Sequence, residues 1–343
     1  MLYDWRSNKE ELLPSIPNGV RISYPMSGTG VLLPLSAENG YTPEVMLCGG
    51  SSIDDSRAGY DISSDEAASS QCSRLTLSAE GIERGWSVEQ MPEARLMPDA
   101  VMLPDGKIIV INGAGSGIAG YGNVKNQVGQ GNAANPVTRP VLYDPSAPAG
   151  ARFSTGLPTS NIPRLYHSVA SLTPNGSVMI AGSNPNLDRS NVKFGTEYRV
   201  EWLMPPYMSM ERPRYEELPA SIQFGKSFTI TADCLATAKR VQGNLSTYAP
   251  STVLRVNAPI SVSLMDLGFI THGIHMNARL VFLSMNMSPD RKSLVISGPI
   301  NSRVYPPGPA WLYLVVDGVP SVGRKVMVGN GEGPPVDKAA IEK

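Results

Sequence analysis

Apolar and polar residues alternate along most of this chain in short runs, and glycine, proline, asparagine and aspartate separate the runs. Alternation of this kind sends successive side chains to opposite faces, so each run predicts a half-buried β-strand and each separator a turn. Helical spacing is scarce, and the pattern predicts very little helix. One phrase stands out: Arg95-Leu-Met-Pro-Asp-Ala-Val-Met-Leu-Pro-Asp-Gly106, then Lys107-Ile-Ile-Val-Ile-Asn-Gly113. It reads as strand, Asp-Gly hairpin turn, apolar strand and glycines. The phrase returns from Arg164 through Asn175-Gly176 to Gly182, and more loosely from Ser27 to Gly49. Leu2-Tyr3-Asp4 likewise returns as Leu142-Tyr143-Asp144. A repeat of about seventy residues built this way is the grammar of a kelch-type β-propeller blade.

The repeat stops at Glu197-Tyr-Arg-Val-Glu-Trp-Leu-Met-Pro-Pro-Tyr207, where two prolines end a strand. Beyond it the predicted strands are shorter and unrepeated: 227–232, 253–256, 260–265, 279–283, 293–296, 311–316 and 324–328. Such a series predicts an immunoglobulin-like β-sandwich. The expected organisation is therefore all-β, with a partial propeller of about three blades in an open arc over residues 1–206 and a sandwich over 207–329. Residues 330–343 are Gly, Pro and charge, and read as a disordered tail. A closed propeller needs at least about four blades, so the chain reads as the later part of a larger protein.

Composition narrows the function classes. A formal net charge of −1 with 17% charged residues lacks the concentrated Lys and Arg that nucleic acid or an anionic membrane surface requires. No apolar run is long enough to span a bilayer, and the first residues lack the apolar core of a signal peptide. Of Cys48, Cys72 and Cys234, the first two flank a Ser/Asp-rich loop. They are either a disulfide in an oxidising compartment or two buried small hydrophobes. Cys234 reads as a core residue. Asn175, Asn244 and Asn286 each open an N-x-Ser triplet, the first already committed to its turn. Arg95 and Arg164 share one blade position and are expected to brace a loop; Gly113-Ala-Gly-Ser-Gly117 reads as a blade loop near the axis.

The candidate chemistry lies in three histidines. His167 follows Tyr166 at the mouth of a predicted strand, and His272 and His275 sit together about a hundred residues later. Imidazole nitrogen and phenol oxygen are donors that suit Cu(II), and a phenol of pKa about 10 can serve as a general base. Neighbours on a regular strand face opposite ways, so Tyr166 and His167 can share a metal only where the backbone leaves the strand, as Pro163 allows. By the same rule His275 faces away from His272 and is structural. The competing reading makes Tyr166 and His167 a partly buried aromatic and a satisfied histidine. A zinc hydrolase would need a carboxylate base, and no carboxylate stands at a spacing that supplies one, with Asp266 alone left open.

Arg164-Leu-Tyr-His-Ser-Val-Ala-Ser-Leu-Thr-Pro-Asn-Gly176, with Thr271-His-Gly-Ile-His-Met-Asn-Ala-Arg279 and Gly318-Val-Pro-Ser-Val322, resembles the glyoxal oxidase and galactose oxidase family of copper radical oxidases. Val200-Glu-Trp-Leu-Met-Pro-Pro-Tyr207 and Ile16-Pro-Asn-Gly-Val-Arg21 are similar to the glyoxal oxidase branch. The resemblance spans essentially the whole chain but only the later blades and the E-set sandwich of the family's core. It implies one copper ion, with Tyr166 as axial ligand and catalytic base and His167 and His272 as the imidazole ligands. It further implies oxidation of a small aldehyde or primary alcohol by O2 to give H2O2, in an extracellular protein. The family's Tyr–Cys radical cofactor falls in earlier blades, so the chain as it stands is expected to be inactive. Ala278 departs from the family's usual Gln. The alternative function class is a non-catalytic propeller and sandwich module that binds carbohydrate or protein.

Overall fold

The computed structural model describes residues 1–187, 191–232, 258–277 and 279–332. Cys234, Asn244, the strand expected at 253–256, Ala278 and residues 333–343 of the expected tail lie outside them. Among the described residues the structure is strands throughout, with one short α-helix at Ala79–Arg84 whose first turn is capped by the Ser78 hydroxyl.

A hairpin of β1 (Leu2–Asp4) and β2 (Lys9–Glu11) comes first. The first unit then runs through β3 (Gly28–Leu32), the short β4 (Leu35–Ser36), β5 (Glu44–Gly49), β6 (Gln71–Thr76) and β7 (Ser87–Gln90). Strands β3, β5, β6 and β7 pair antiparallel in that order, and β4 leaves to join the sandwich. The second unit holds β8 (Asp99–Met102) and β9 (Ile108–Ile111), whose side chains are all buried. A separate hairpin follows, β10 (Ala114–Tyr121) and β11 (Gly131–Pro136), and then β12 (Val141–Tyr143) and β13 (Phe153–Ser154) complete a four-stranded sheet with β9 and β8. Strand β10 corrects the expectation of a loop at 113–117. Most of its residues are too small to show apolar alternation, yet their backbones pair with β11, with a shift of register between Gly117 and Tyr121. The third unit has three strands, β14 (Val169–Leu172), β15 (Val178–Ala181) and β16 (Glu201–Leu203).

The repeated arginines explain why the units resemble one another. Arg95 is fully buried and donates to the carbonyls of Asn112 and Arg139. Arg164, equally buried, donates to those of Gly182 and Arg199 and pairs with Glu201 at 2.8 Å. In each unit the guanidinium satisfies backbone groups where the strands diverge, an obligatory task for buried carbonyls. Burial holds Arg95 down to about 10, since its nearest carboxylate, Glu93, is 3.9 Å away.

The remaining strands form the sandwich: β17 (Ser221–Ile222), β18 (Ser227–Thr231), β19 (Ile260–Met265), β20 (Phe269–Thr271), β21 (Ile274–Met276), β22 (Leu280–Leu283), β23 (Met285–Met287), β24 (Ser293–Ser297), β25 (Gly308–Val316), β26 (Val319–Pro320) and β27 (Arg324–Val328). One sheet runs β17-β27-β25-β19-β22-β4, with β26 against β25, and the other runs β18-β24-β23. Their facing apolar residues, among them Ile230, Val262, Leu264, Ile296 and Leu312, form one core.

Two features tie the sandwich to the propeller units. At one end the turn after β14 is clasped: Tyr313 and the Gly323 amide both donate to the Pro174 carbonyl, and Tyr207 donates to that of Gly176 at 2.6 Å. Arg212 spans the same junction, donating to Pro320 at 2.7 Å and to the Asn175 and Ser321 carbonyls. At the other end β20 and β21 leave the sandwich as a hairpin. Strand β20 pairs with β14, and β21 pairs in parallel with β3, so the first and third units join in a nine-stranded sheet. Among the described residues the units form no closed ring, and the hairpin stands as two further strands between the third unit and the first. Strand β8 packs against this seam, and Met265, Ile270 and Tyr313 of the sandwich share one core with Met46, Ile109 and Ala170 of the units.

Candidate metal centre

The chain approaches the centre through Pro163 and turns before β14 begins. His167 takes a left-handed φ of 67°, and the Ser168 amide closes on the Leu165 carbonyl at 3.1 Å. Such a backbone is uncommon for a residue with a Cβ and concentrates at functional sites. Its effect here is to break the alternation of the strand. The rings of Tyr166 and His167 fall on one side, with centroids 3.9 Å apart and planes tilted by 31°.

His272 comes from the other domain. Thr271 pairs with Ile274, which leaves His272 and Gly273 as the two-residue turn of the β20–β21 hairpin. Their φ angles are 56° and 79°, the type I′ pattern in which the first position is usually Asn. Turn and pairing together carry the His272 ring to 5.0 Å from His167 and 5.3 Å from Tyr166, centroid to centroid. The three residues are thus brought together across about a hundred residues of sequence.

Hydrogen bonds orient both imidazoles. His167 Nδ1 lies 3.0 Å from the Asn184 carbonyl, which can only accept, so Nδ1 is the donor, and among the described residues Nε2 has no hydrogen-bond partner. His272 Nδ1 lies 2.8 Å from the Thr271 hydroxyl, and its Nε2 is likewise unengaged. Burial, and then the neighbouring His167, push the His272 ring below the ordinary histidine range and keep it neutral. Burial, and then Tyr24 and Tyr121, raise the Tyr166 phenol above the ordinary tyrosine range.

His275 is elsewhere. It pairs with Ile270 on β20, a fully buried core residue, and burial pushes its imidazole down to about 4. Its Nδ1 is buried without a partner. Asp266 follows β19, and its carboxyl, raised by burial, has Tyr305 and Arg279 as electrostatic neighbours. Among the described residues no three His, Cys, Asp or Glu side chains converge, so a metal at this centre needs the Tyr166 phenol as well as the two imidazoles.

The pattern that defines the glyoxal oxidase N-terminus matches residues 1–207, and that of the galactose oxidase-like early set domain matches residues 212–328. The chain belongs to the glyoxal oxidase family. Among its relatives is the aldehyde oxidase GLOX of Vitis pseudoreticulata, 34% identical, with the match covering 96% of this chain and 58% of that protein. Another is the aldehyde oxidase GLOX1 of Arabidopsis thaliana, 33% identical over 92% of this chain and 49% of that protein. This glyoxal oxidase family member therefore spans about half the length of the relatives it matches. A fungal alcohol oxidase solved in complex with copper shares its fold, with a TM-score of 0.61, 22% identity and coverage of 89% of this chain and 54% of that one.

Two residues of the centre carry no motif. Tyr121, at the end of β10, stands edge-on to both Tyr166 and His167, with centroids 6.2 and 6.5 Å away. Tyr24 acts on the Tyr166 phenol from the first unit. Among 13 tyrosines neither is distinctive by composition. The signal that was present is Gly120-Tyr121-Gly122, a tyrosine between two glycines of positive φ, the mark of a ring aimed by its backbone.

Proposed function

We propose that the chain forms the imidazole and phenol side of the copper site of a glyoxal oxidase-type enzyme, with His167, His272 and Tyr166 as the residues that would hold the metal. The observation that carries this reading is the pair of anchored imidazoles, each held at Nδ1 and each free at Nε2, beside a phenol. Metal-bound histidines are oriented in this way by a bond at the other ring nitrogen, and mixed nitrogen and oxygen donors suit Cu(II).

Copper held there, together with the Tyr–Cys radical cofactor of the family, would supply the redox chemistry that takes two electrons from a small aldehyde or primary alcohol to O2, giving H2O2. The chain's own groups orient and move protons. Neutral imidazoles need no deprotonation before binding a metal. The Tyr166 oxygen, having given up its own proton on binding the metal, would take the substrate's proton, and surroundings that favour the phenol would hold it there. A cavity of about 130 Å³, lined by Tyr24, Pro25, Asp55, Arg57, Ile118 and Asn123, shares only Tyr24 with the surroundings of the Tyr166 phenol. The Cys48–Cys72 disulfide favours an extracellular setting.

The test is titration with Cu(II), followed by calorimetry and electron paramagnetic resonance. Nitrogen hyperfine structure from two imidazoles is expected. His167→Ala or His272→Ala should each weaken binding by at least about a hundredfold, more than loss of an outer contact, whereas His275→Ala should leave the signal unchanged. Copper uptake indifferent to His167 and His272 would remove the proposal. Peroxide release on methylglyoxal, measured for the chain and for a version extended at its N-terminus, then tests the reaction.

A further inference from the structure

The β10–β11 hairpin forms a sheet of its own beside the four-stranded sheet of the second unit, and isolated bridges tie β10 to Ala67 and Leu96. Its register shifts between Gly117 and Tyr121, an irregularity of the kind that re-aims a side chain beside a functional site. Gly120 and Gly122, on either side of Tyr121, have φ of 102° and 84°. A Cβ on Gly120 would approach the Tyr24 hydroxyl and the Asn132 amide to 3.1 Å. Asn132 is itself buried and ties the hairpin across its end. It donates to the Ala119 carbonyl at 3.3 Å and to Asn123 Oδ1 at 2.7 Å, and it accepts from the Asn123 amide. These features constrain the backbone around one side chain, and that side chain packs edge-on against two of the three residues of the centre.

We propose that Tyr121 is a positioning residue of the metal centre: its ring buttresses the Tyr166–His167 pair and fixes the angle at which His167 presents Nε2. Among the described residues the His167 ring has one hydrogen bond, to the Asn184 carbonyl, and a single bond of that kind does not by itself fix the tilt of the ring. Tyr166 covers one side of the imidazole, and Tyr121 meets the pair edge-on. The second unit thereby contributes to a centre whose donors come from the third unit and the sandwich. The inference rests on the copper reading for its consequence, but the ring contact can be examined without metal.

The experiment compares Tyr121→Phe, which keeps the ring, with Tyr121→Leu, which removes it. In the metal-free protein the three histidines give three resolvable imidazole signals by nuclear magnetic resonance. The His167 signal should move in Tyr121→Leu, while that of His275 stays in place. With Cu(II), Tyr121→Phe should bind within about twofold of the parent and give the same paramagnetic spectrum. Tyr121→Leu should lose roughly 10–100-fold in affinity, the usual effect of losing a contact that orients a ligand, and show a second copper species. Rescue by Phe separates the ring's role from the hydroxyl's, and a retained unfolding midpoint separates positioning from general damage. Unchanged affinity and spectrum in Tyr121→Leu overturn the proposal, as does a Tyr121→Phe variant as impaired as Tyr121→Leu. A parent chain that takes up no copper sinks the copper reading alone; an unmoved His167 signal in Tyr121→Leu then overturns the buttress too.

Discussion

Single residues decide where the imidazoles point. Gly273 is the sharpest case, because a Cβ there would overlap the Gly28 carbonyl oxygen and its φ of 79° disfavours any side chain. Gly273→Ala should destabilise the protein by about 2–3 kcal/mol and weaken Cu(II) binding as His272 is displaced; thermal unfolding and metal titration measure both. His275 sets a different expectation. Its folded-state pKa of about 4 lies below the ordinary 6.5, so the unfolded chain takes up this proton first as the pH falls. Its effect on stability is absent above pH 6.5 and grows between 6.5 and about 4, reaching roughly 2–3 kcal/mol. The unfolding midpoint should fall across that window, and His275→Phe should flatten the fall; an unchanged slope would count against it. Tyr166, His167 and His272 were legible in the sequence because each stands in a motif. Tyr121 and Tyr24 were not, since a tyrosine acquires its role only when the backbone aims it.

Among the elements, strands with a buried face were readable because their alternation records the burial. The Asp105-Gly106 and Asn175-Gly176 turns were equally plain, and Asn175 Oδ1 accepts from the Thr173 hydroxyl and from the amide and hydroxyl of Ser177. Strand β10 escaped notice because its glycines and alanines leave no pattern. The β20–β21 hairpin escaped because His stands where a hairpin turn usually has Asn. The cysteines were ambiguous by sequence, and the structure resolves them: Cys48 and Cys72 face each other directly across β5 and β6 and form a buried disulfide with a sequence separation of 24. Replacing both with Ala should cost about 3 kcal/mol, by the entropy of the loop released. Denaturant unfolding with and without reductant checks this, and equal midpoints would show that the strand pairing carries the stability by itself.

At the scale of the whole molecule, repetition revealed the units but not how their sheets connect, because β14, β20, β21 and β3 come from distant parts of the chain. The repeat also leaves an edge. Strand β16 ends the nine-stranded sheet, and Trp202 on it, with Tyr198, Val200 and Met204 in the segments that flank it, is exposed. An exposed apolar edge strand is a template for pairing with another chain. The isolated chain should therefore associate as its concentration rises, and Trp202→Lys should shift it toward the monomer in light scattering. A parent that stays monomeric at high concentration would show that this edge is not adhesive.

The hairpin that joins the units also imposes an order in time. Tyr166 and His167 leave the ribosome about a hundred residues before His272. At common elongation rates that interval is roughly 5–20 seconds. During it the nascent chain holds two of the three groups with nothing opposite them, and a metal ion captured then would settle on a partial site. On the copper reading, a complete site would exist only after the hairpin arrives, so loading would follow translation.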